Sequence, residues 1–223
     1  MKWPRYNRKG EIALMATCRS VALAIPAVVA LVVFGRAGGA WAADVATLAE
    51  TCTNCHDKDG ASRVPEVPII GGYSAPYLID ILTAYKNRAR PCPETKYRAG
   101  TRKGATTDMC KTAADMSSGD LKLVAGYFAS KKFVRAAQDV DPALAQKGKS
   151  IHELNCEKCH SDGGSVASDD AGILAGQWMP YLKEQLKDFS AGKRPMGKKM
   201  KPKIEKLKEG DFDTLANYYG SFK

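Results

Sequence analysis

The chain has 223 residues, with 34 Lys and Arg against 24 Asp and Glu, a formal charge of +10, and 44% apolar residues. That length suits one or two small domains. The first 42 residues hold six basic residues and one acidic residue; without them 28 basic face 23 acidic groups, too even a balance to support nucleic-acid binding.

Residues 1–42 read as a signal peptide. Lys2, Arg5, Arg8, Lys9 and Arg19 form a basic region, Ser20 to Phe34 is apolar, and Ala40-Trp41-Ala42 offers a cleavage site before Ala43. The apolar stretch is shorter than the ~20 residues of a bilayer span and contains Pro26, so cleavage is expected and no stable membrane span remains. Cys18 lies away from the cleavage point, which argues against a lipoprotein. Export implies a periplasmic, oxidising setting.

Val45 to Thr53 carries helix formers that lead into Cys52-Thr53-Asn54-Cys55-His56. Cys-x-x-Cys-His is the attachment signature of c-type haem. The two thiols add to the haem vinyl groups and the His supplies an axial nitrogen to the iron. A thioredoxin-like pair or half of a zinc site could also begin with Cys-x-x-Cys. Neither needs the adjoining His, and two of the three His in the chain sit in that position. Tyr77 to Lys86 reads as a helix after a Pro, and Ser118 to Ala129 as a closing helix with an acidic first turn. Lys131 to Val140 is charged and aperiodic, and reads as a linker. Pro142 to Asn155 then leads into a second motif, Cys156-Glu157-Lys158-Cys159-His160, followed by helices over Tyr181 to Phe189 and Gly210 to Tyr219. No segment alternates with a period of two, so the fold expected is all-α.

The chain repeats itself. Adding 104 carries Cys52, Cys55 and His56 onto Cys156, Cys159 and His160, Gly72 onto Gly176, Tyr77 onto Tyr181, and Arg90-Pro91 onto Arg194-Pro195. Beyond that the offset becomes 91, pairing Met109 with Met200, Asp120 with Asp211, and Tyr127 with Tyr218, so the first half holds a 13-residue insertion. Two homologous haem domains follow, over 43–130 and 142–223, joined by residues 131–141.

A thioether opposite the His raises haem potential and suits electron transfer. The repeat selects Met109 and Met200 as the sixth ligands. Met116 then packs as core. Met196 is the rival of Met200, although it aligns with Cys92; Met179 reads as pocket wall. His152, one turn before Cys156, could be a second axial His or a helix-face residue near the haem edge. Tyr77, Tyr85, Tyr127, Trp178, Tyr181 and Tyr218 are expected in haem pockets or between the domains.

Cys92 and Cys110 bracket the insertion, and Cys110 follows Met109. In an oxidising compartment a disulfide is expected, contributing about 3 kcal/mol and clipping the long loop that presents Met109. The alternative is a free sulfur that ligates haem or meets a sulfur substrate. Lys193, Arg194, Lys198, Lys199, Lys201, Lys203, Lys206 and Lys208 surround the second Met, while Lys96, Arg98, Arg102 and Lys103 lie in the insertion. Such runs are usually solvated surface; here they could steer an acidic partner.

The tandem motifs, Ile173-Leu174-Ala175-Gly176-Gln177, Pro180-Tyr181-Leu182 and Asp141-Pro142-Ala143-Leu144-Ala145 resemble the dihaem cytochrome c family of cytochrome c4. Ile151 to Gly164 and Ile173 to Met200 are similar to the haem subunit of flavocytochrome c sulfide dehydrogenase. The insertion between Cys92 and Cys110 departs from that pattern. The resemblance implies tandem class I cytochrome c domains with two covalent haem c groups and no catalysis by this chain alone. It also implies a subunit that takes electrons from an FAD-containing sulfide dehydrogenase and passes them to a soluble redox protein. The chain has no nucleotide fingerprint, so any flavin sits elsewhere. The alternative is a freestanding carrier of the cytochrome c4 type feeding a terminal oxidase. A dihaem enzyme, such as a thiosulfate dehydrogenase or a peroxidase, is a third reading.

Overall fold

The computed structural model describes the backbone of residues 39–223 and side chains from residue 45 onward. The expected signal peptide, Cys18 and the Ala40-Trp41-Ala42 cleavage site lie outside the described side chains. The first half is built from α1 (Gly39–His56), α2 (Ala75–Lys86), the strands β1 (Thr95–Lys96) and β2 (Thr106–Thr107), α3 (Met109–Ala114) and α4 (Ser118–Ala129). The second half holds α5 (Pro142–Asn155), the single turn α6 (Ser161–Gly164), α7 (Met179–Ser190), the short α8 (Lys201–Ile204) and α9 (Glu209–Gly220).

Capping sets these boundaries. Ser74 accepts a hydrogen bond from the Tyr77 amide while Pro76 occupies the first turn of α2, and Asp141 accepts from the Ala143 and Leu144 amides at the start of α5. A reciprocal Ser117–Asp120 box opens α4. The expected helices are all present. The sequence reading missed α3, α8 and the two-residue ladder pairing Thr95 with Thr107 and Lys96 with Thr106. All are too short to show a period.

Each half closes its first helix on its last. Ala49 of α1 packs with Leu121, Val124, Ala125 and Phe128 of α4. In the second half α5 crosses α9 at Gly148, where an added Cβ would lie 2.2 Å from the Thr214 carbonyl oxygen. The loops between carry the repeat down to single bonds. Ile70 N donates to Gly60 O at 2.8 Å, and Leu174 N to Gly164 O at 2.7 Å. Gly72 N donates to Phe128 O, and Gly176 N to Tyr219 O, with both glycines at positive φ.

The halves meet around a local two-fold relation. Tyr73 and Gln177 are repeat equivalents, and they touch: Gln177 Nε2 donates to the Tyr73 hydroxyl at 2.8 Å. The Tyr73 hydroxyl donates to Ile173 O at 3.3 Å; Gln177 Nε2 also donates to Ile69 O at 2.9 Å, and Ile69 is the equivalent of Ile173. The Ile69 amide returns a bond to Gln177 Oε1 at 3.0 Å. Such mutual contact between equivalent patches is the pattern of an isologous interface, here formed within one chain.

Residues 131–140 form no helix or strand, but they are well anchored. Phe133 stacks on Tyr73 with centroids 6.0 Å apart. Ala136 N donates to Gly176 O at 2.7 Å. The Gln138 side chain donates to Gln177 O and accepts from the Met179 amide. The segment is therefore a strap laid across both halves.

Candidate haem sites

In the first half the final turn of α1 presents Cys52, Cys55 and His56 to a cavity of about 820 Å³, its open mouth included. Ile70, Tyr73, Tyr85, Val124 and Phe128 line it, and Met109 and Thr112 of α3 face it. The expected Cys, His and Met residues of this half thus converge on one space. Both thiols are free of disulfide bonding. Burial pushes the Cys52 thiol up to about 12, helped by neighbouring Cys55; a reactive dithiol or a zinc ligand needs the opposite shift.

The His56 ring is 6% exposed. Its Nδ1 lies 2.9 Å from Pro68 O, which makes Nδ1 the protonated nitrogen and leaves the Nε2 lone pair for a metal. Burial lowers the basicity of His56, against opposing effects of Pro68 and Asp57, so it stays neutral as a ligand must. The repeat equivalent of Pro68 is Gly172. Its carbonyl acts to raise the basicity of His160 after burial and the His152 charge have lowered it. His160 Nδ1 is buried without a hydrogen bond of good geometry.

Both halves contribute to the wall of this cavity. Tyr181, from the second half, lines the first cavity. Its equivalent Tyr77 reaches back: a Cβ on Gly172 would lie 2.7 Å from the Tyr77 hydroxyl oxygen. Arg90 and Arg194, only 5% and 7% exposed, converge on Gln185 Oε1 at 2.6 and 2.7 Å. Arg90 Nε is buried and unpaired, and no ion pair among the described residues includes either arginine. Asp188 senses the charge of both arginines but pairs directly with neither, so these buried cations can take a further anion, and the propionates of haem have the right charge. The donor set, the cavity and the unmatched arginines all fit haem c. Sequence reading noticed the Arg-Pro repeat and counted Arg194 among the surface charges that could steer a partner; its burial removes it from that set.

The remaining residues fall out as follows. Cys92 and Cys110 form a disulfide, with Cα atoms 5.8 Å apart. Asp108 lies close to both sulfurs, but with these bonded to each other no metal-binding set remains. The hairpin of the insertion folds onto the first motif: the Arg98 and Ala99 amides donate to Asn54 O at 3.0 and 3.2 Å. Tyr97 is buried in the cavity wall beneath the Arg102 guanidinium. Cys159, the equivalent of Cys55, is exposed. Met116 packs on the first core and Met179 on Gly220. Met196 and Met200 are both half-buried; Met200 begins α8.

Of the expected aromatics, Tyr77, Tyr85 and Tyr181 line the cavity, and Trp178 Nε1 bridges the halves by donating to Ser62 O at 2.8 Å. Tyr127 instead packs on Phe128 and under Lys131. Tyr218 packs on His152 and Phe222. His152 departs from the axial-ligand expectation and keeps its place on a helix face beside the second motif. It is fully buried, and Tyr219 and Glu157 engage both ring nitrogens, so neither is free for iron.

No protein-family model matches the chain. Cytochrome c4 of Azotobacter vinelandii is 29% identical over 183 residues, covering 76% of this chain and 83% of the relative. Cytochrome c-554(548) of Halomonas halodenitrificans is 31% identical over 83 residues, 37% of this chain and 86% of its own length. Among solved structures, reduced cytochrome c4 from Pseudomonas stutzeri superposes with a TM-score of 0.65 at 27% identity, covering 82% of this chain and 98% of that one.

Proposed function

Because the chain belongs to the dihaem cytochrome c family that includes cytochrome c4 and carries two covalently bound haem c groups, we propose that it is a freestanding periplasmic electron carrier. Haem 1 is held by Cys52, Cys55, His56 and Met109, and haem 2 by Cys156, Cys159, His160 and Met200. The domains span 43–130 and 142–223 around the strap 131–141, after a signal peptide ending at Ala42. Bound haem supplies one-electron chemistry. The chain's own part is to anchor each group through two thioethers, fix a neutral imidazole through Pro68 or Gly172, and keep water out with the tyrosine-lined walls.

One observation carries this reading: across one interface Tyr181 lines the first cavity, while its equivalent Tyr77 meets Gly172, whose backbone bonds His160. Two redox groups so placed adjoin, as an internal relay requires. The relatives that span most of the chain are cytochromes c4, which favours the freestanding carrier over the flavoprotein subunit implied by the longer sequence stretches. Purification from the native source tests this. A dihaem protein eluting alone is expected; stoichiometric co-elution with an FAD-containing sulfide dehydrogenase overturns it. Among the described residues no helix is long and apolar enough to cross a membrane.

Lys198, Lys199, Lys201, Lys206 and Lys208 are exposed around Met200, which suits an acidic acceptor. The bimolecular rate of electron transfer to such a partner should fall as ionic strength rises. Replacing Lys198 and Lys199 by Glu should slow it about tenfold at low salt. A rate indifferent to salt and to both replacements rules out steering at this rim.

A further inference from the structure

Beside the second haem motif lies a buried polar chain that the electron-carrier reading does not use. His152 is 0% exposed. Its Nδ1 meets the Tyr219 hydroxyl at 2.9 Å, and its Nε2 meets Glu157 Oε2 at 2.5 Å. The Tyr219 hydroxyl also sits against the Cys156 sulfur, one of the two thioether positions. The Glu157 side chain is 42% exposed and opens into a solvent groove with Lys149, Glu153, Asp162 and Tyr218. A continuous path therefore runs from water through Glu157, His152 and Tyr219 to the edge of the second site.

The first half has no such path. Its equivalents of His152, Glu157 and Tyr219 are Leu48, Thr53 and Phe128, none of which titrates. Leu48 and Phe128 are simply core there. The two halves share the backbone bonds of their haem loops, yet at these three contacting positions the first carries residues that do not ionise and the second carries protonatable ones.

We propose that His152, with Glu157 and Tyr219, couples the redox state of the second haem to the uptake and release of one proton, and that the first haem lacks this coupling. The inference rests on the assignment of haem to Cys156, Cys159 and His160.

When His152 is neutral, Nε2–H donates to Glu157 and the Tyr219 hydroxyl donates to Nδ1. When His152 is protonated, Nδ1–H donates to the Tyr219 oxygen, which frees the hydroxyl proton to point at the Cys156 sulfur. The added charge and the turned hydroxyl both favour an extra electron at the second site. Reduction therefore takes one electron from the donor protein and one proton from solvent through Glu157; oxidation returns both. His160 already senses the His152 charge, which lowers its basicity second only to burial. None of the three residues lies within two positions of His160 or Met200. Besides Glu157 and Tyr219, the groups facing His152 are Tyr218, with rings 5.2 Å apart, and Cys156 and His160. Lys149 and Glu153 pair with each other at 3.8 Å on its own helix. Burial raises the Glu157 carboxyl, but bonds from His152 and the Asp162 and Gly163 amides outweigh it and hold Glu157 below its usual range. The carboxylate thus stays charged and stabilises the imidazolium.

The sign follows. Protonation of the buried chain favours the reduced form, so the potential of the second haem falls as pH rises. For one proton per electron, a tenfold change in proton concentration moves the potential by up to about 59 mV. The test is spectroelectrochemical titration of the holoprotein between about pH 5 and 8, with haem loading checked first and the two haems distinguished by their NMR-resolved methyl signals. One pH-dependent and one flat potential are expected. His152→Leu and Tyr219→Phe, which install the first-half residues, should flatten the sloping one. Glu157→Gln, at a half-exposed site, should move the slope to lower pH without unfolding risk. Equal slopes at both haems, or a slope that survives His152→Leu, would assign the proton to propionates and overturn the proposal. A missing second haem would instead overturn the functional reading.

Discussion

Met109→Ala removes the ferric thioether-to-iron absorption of one haem and lowers its potential on the order of 100 mV, leaving the other haem's ligation intact. The soft, neutral sulfur favours ferrous iron, so its loss must lower the potential. Met109 faces the cavity that holds His56 from the first residue of α3, whose N-terminus is capped by the Asp108 side chain on the Lys111 amide. The next residue, Cys110, is tied to Cys92. Two constraints, a cap and a disulfide, thus hold Met109 at the end of a lengthened loop. Cys92→Ala should cost about 3 kcal/mol in thermal unfolding and make the Met absorption disappear at lower temperature than in the parent. Retention of the full ferric band in Met109→Ala would move the ligand elsewhere.

Gln177→Leu should destabilise the protein by about 3–5 kcal/mol and separate the unfolding of its halves. Gln177 is 0% exposed, and its amide is fully used. Oε1 accepts from Ile69 N and Trp178 N, and Nε2 donates to Ile69 O and the Tyr73 hydroxyl. Leucine leaves the Ile69 amide and carbonyl buried without partners, at about 1–3 kcal/mol each. Tyr73→Phe should cost less, because it removes the bond to Ile173 O but leaves the Gln177–Ile69 pair. Differential scanning calorimetry checks both. A single sharp transition at the parent temperature in Gln177→Leu would show that the strap alone couples the halves.

The haem chemistry was legible because it is written locally. Cys52, Cys55 and His56 fall within one helical turn, and any chain that forms that turn brings them together. The repeat was legible because both copies kept their turn glycines, prolines and spacing. It also contained more than was read from it. The same offsets set His152, Glu157 and Tyr219 against Leu48, Thr53 and Phe128, and this exchange of an ionisable trio for one that does not ionise was visible before any fold was known. The interdomain role of Arg90 and Arg194 was half visible, as a repeated Arg-Pro pair whose burial no local pattern could announce. The hairpin of the insertion was not visible, because two residues per strand carry no alternation.

From the chain alone come the two haem attachment sites, the duplication, the disulfide pair and the helices that frame them, since each depends on residues close in sequence or on an exact repeat. Only the folded molecule decides how the halves face each other, because a two-fold contact such as Tyr73 on Gln177 joins residues about a hundred positions apart. Folding also decides that His152 is a buried, doubly bonded ring rather than a ligand. Burial and hydrogen-bond partners belong to the packed environment, and the same histidine on an exposed helix face would have had neither.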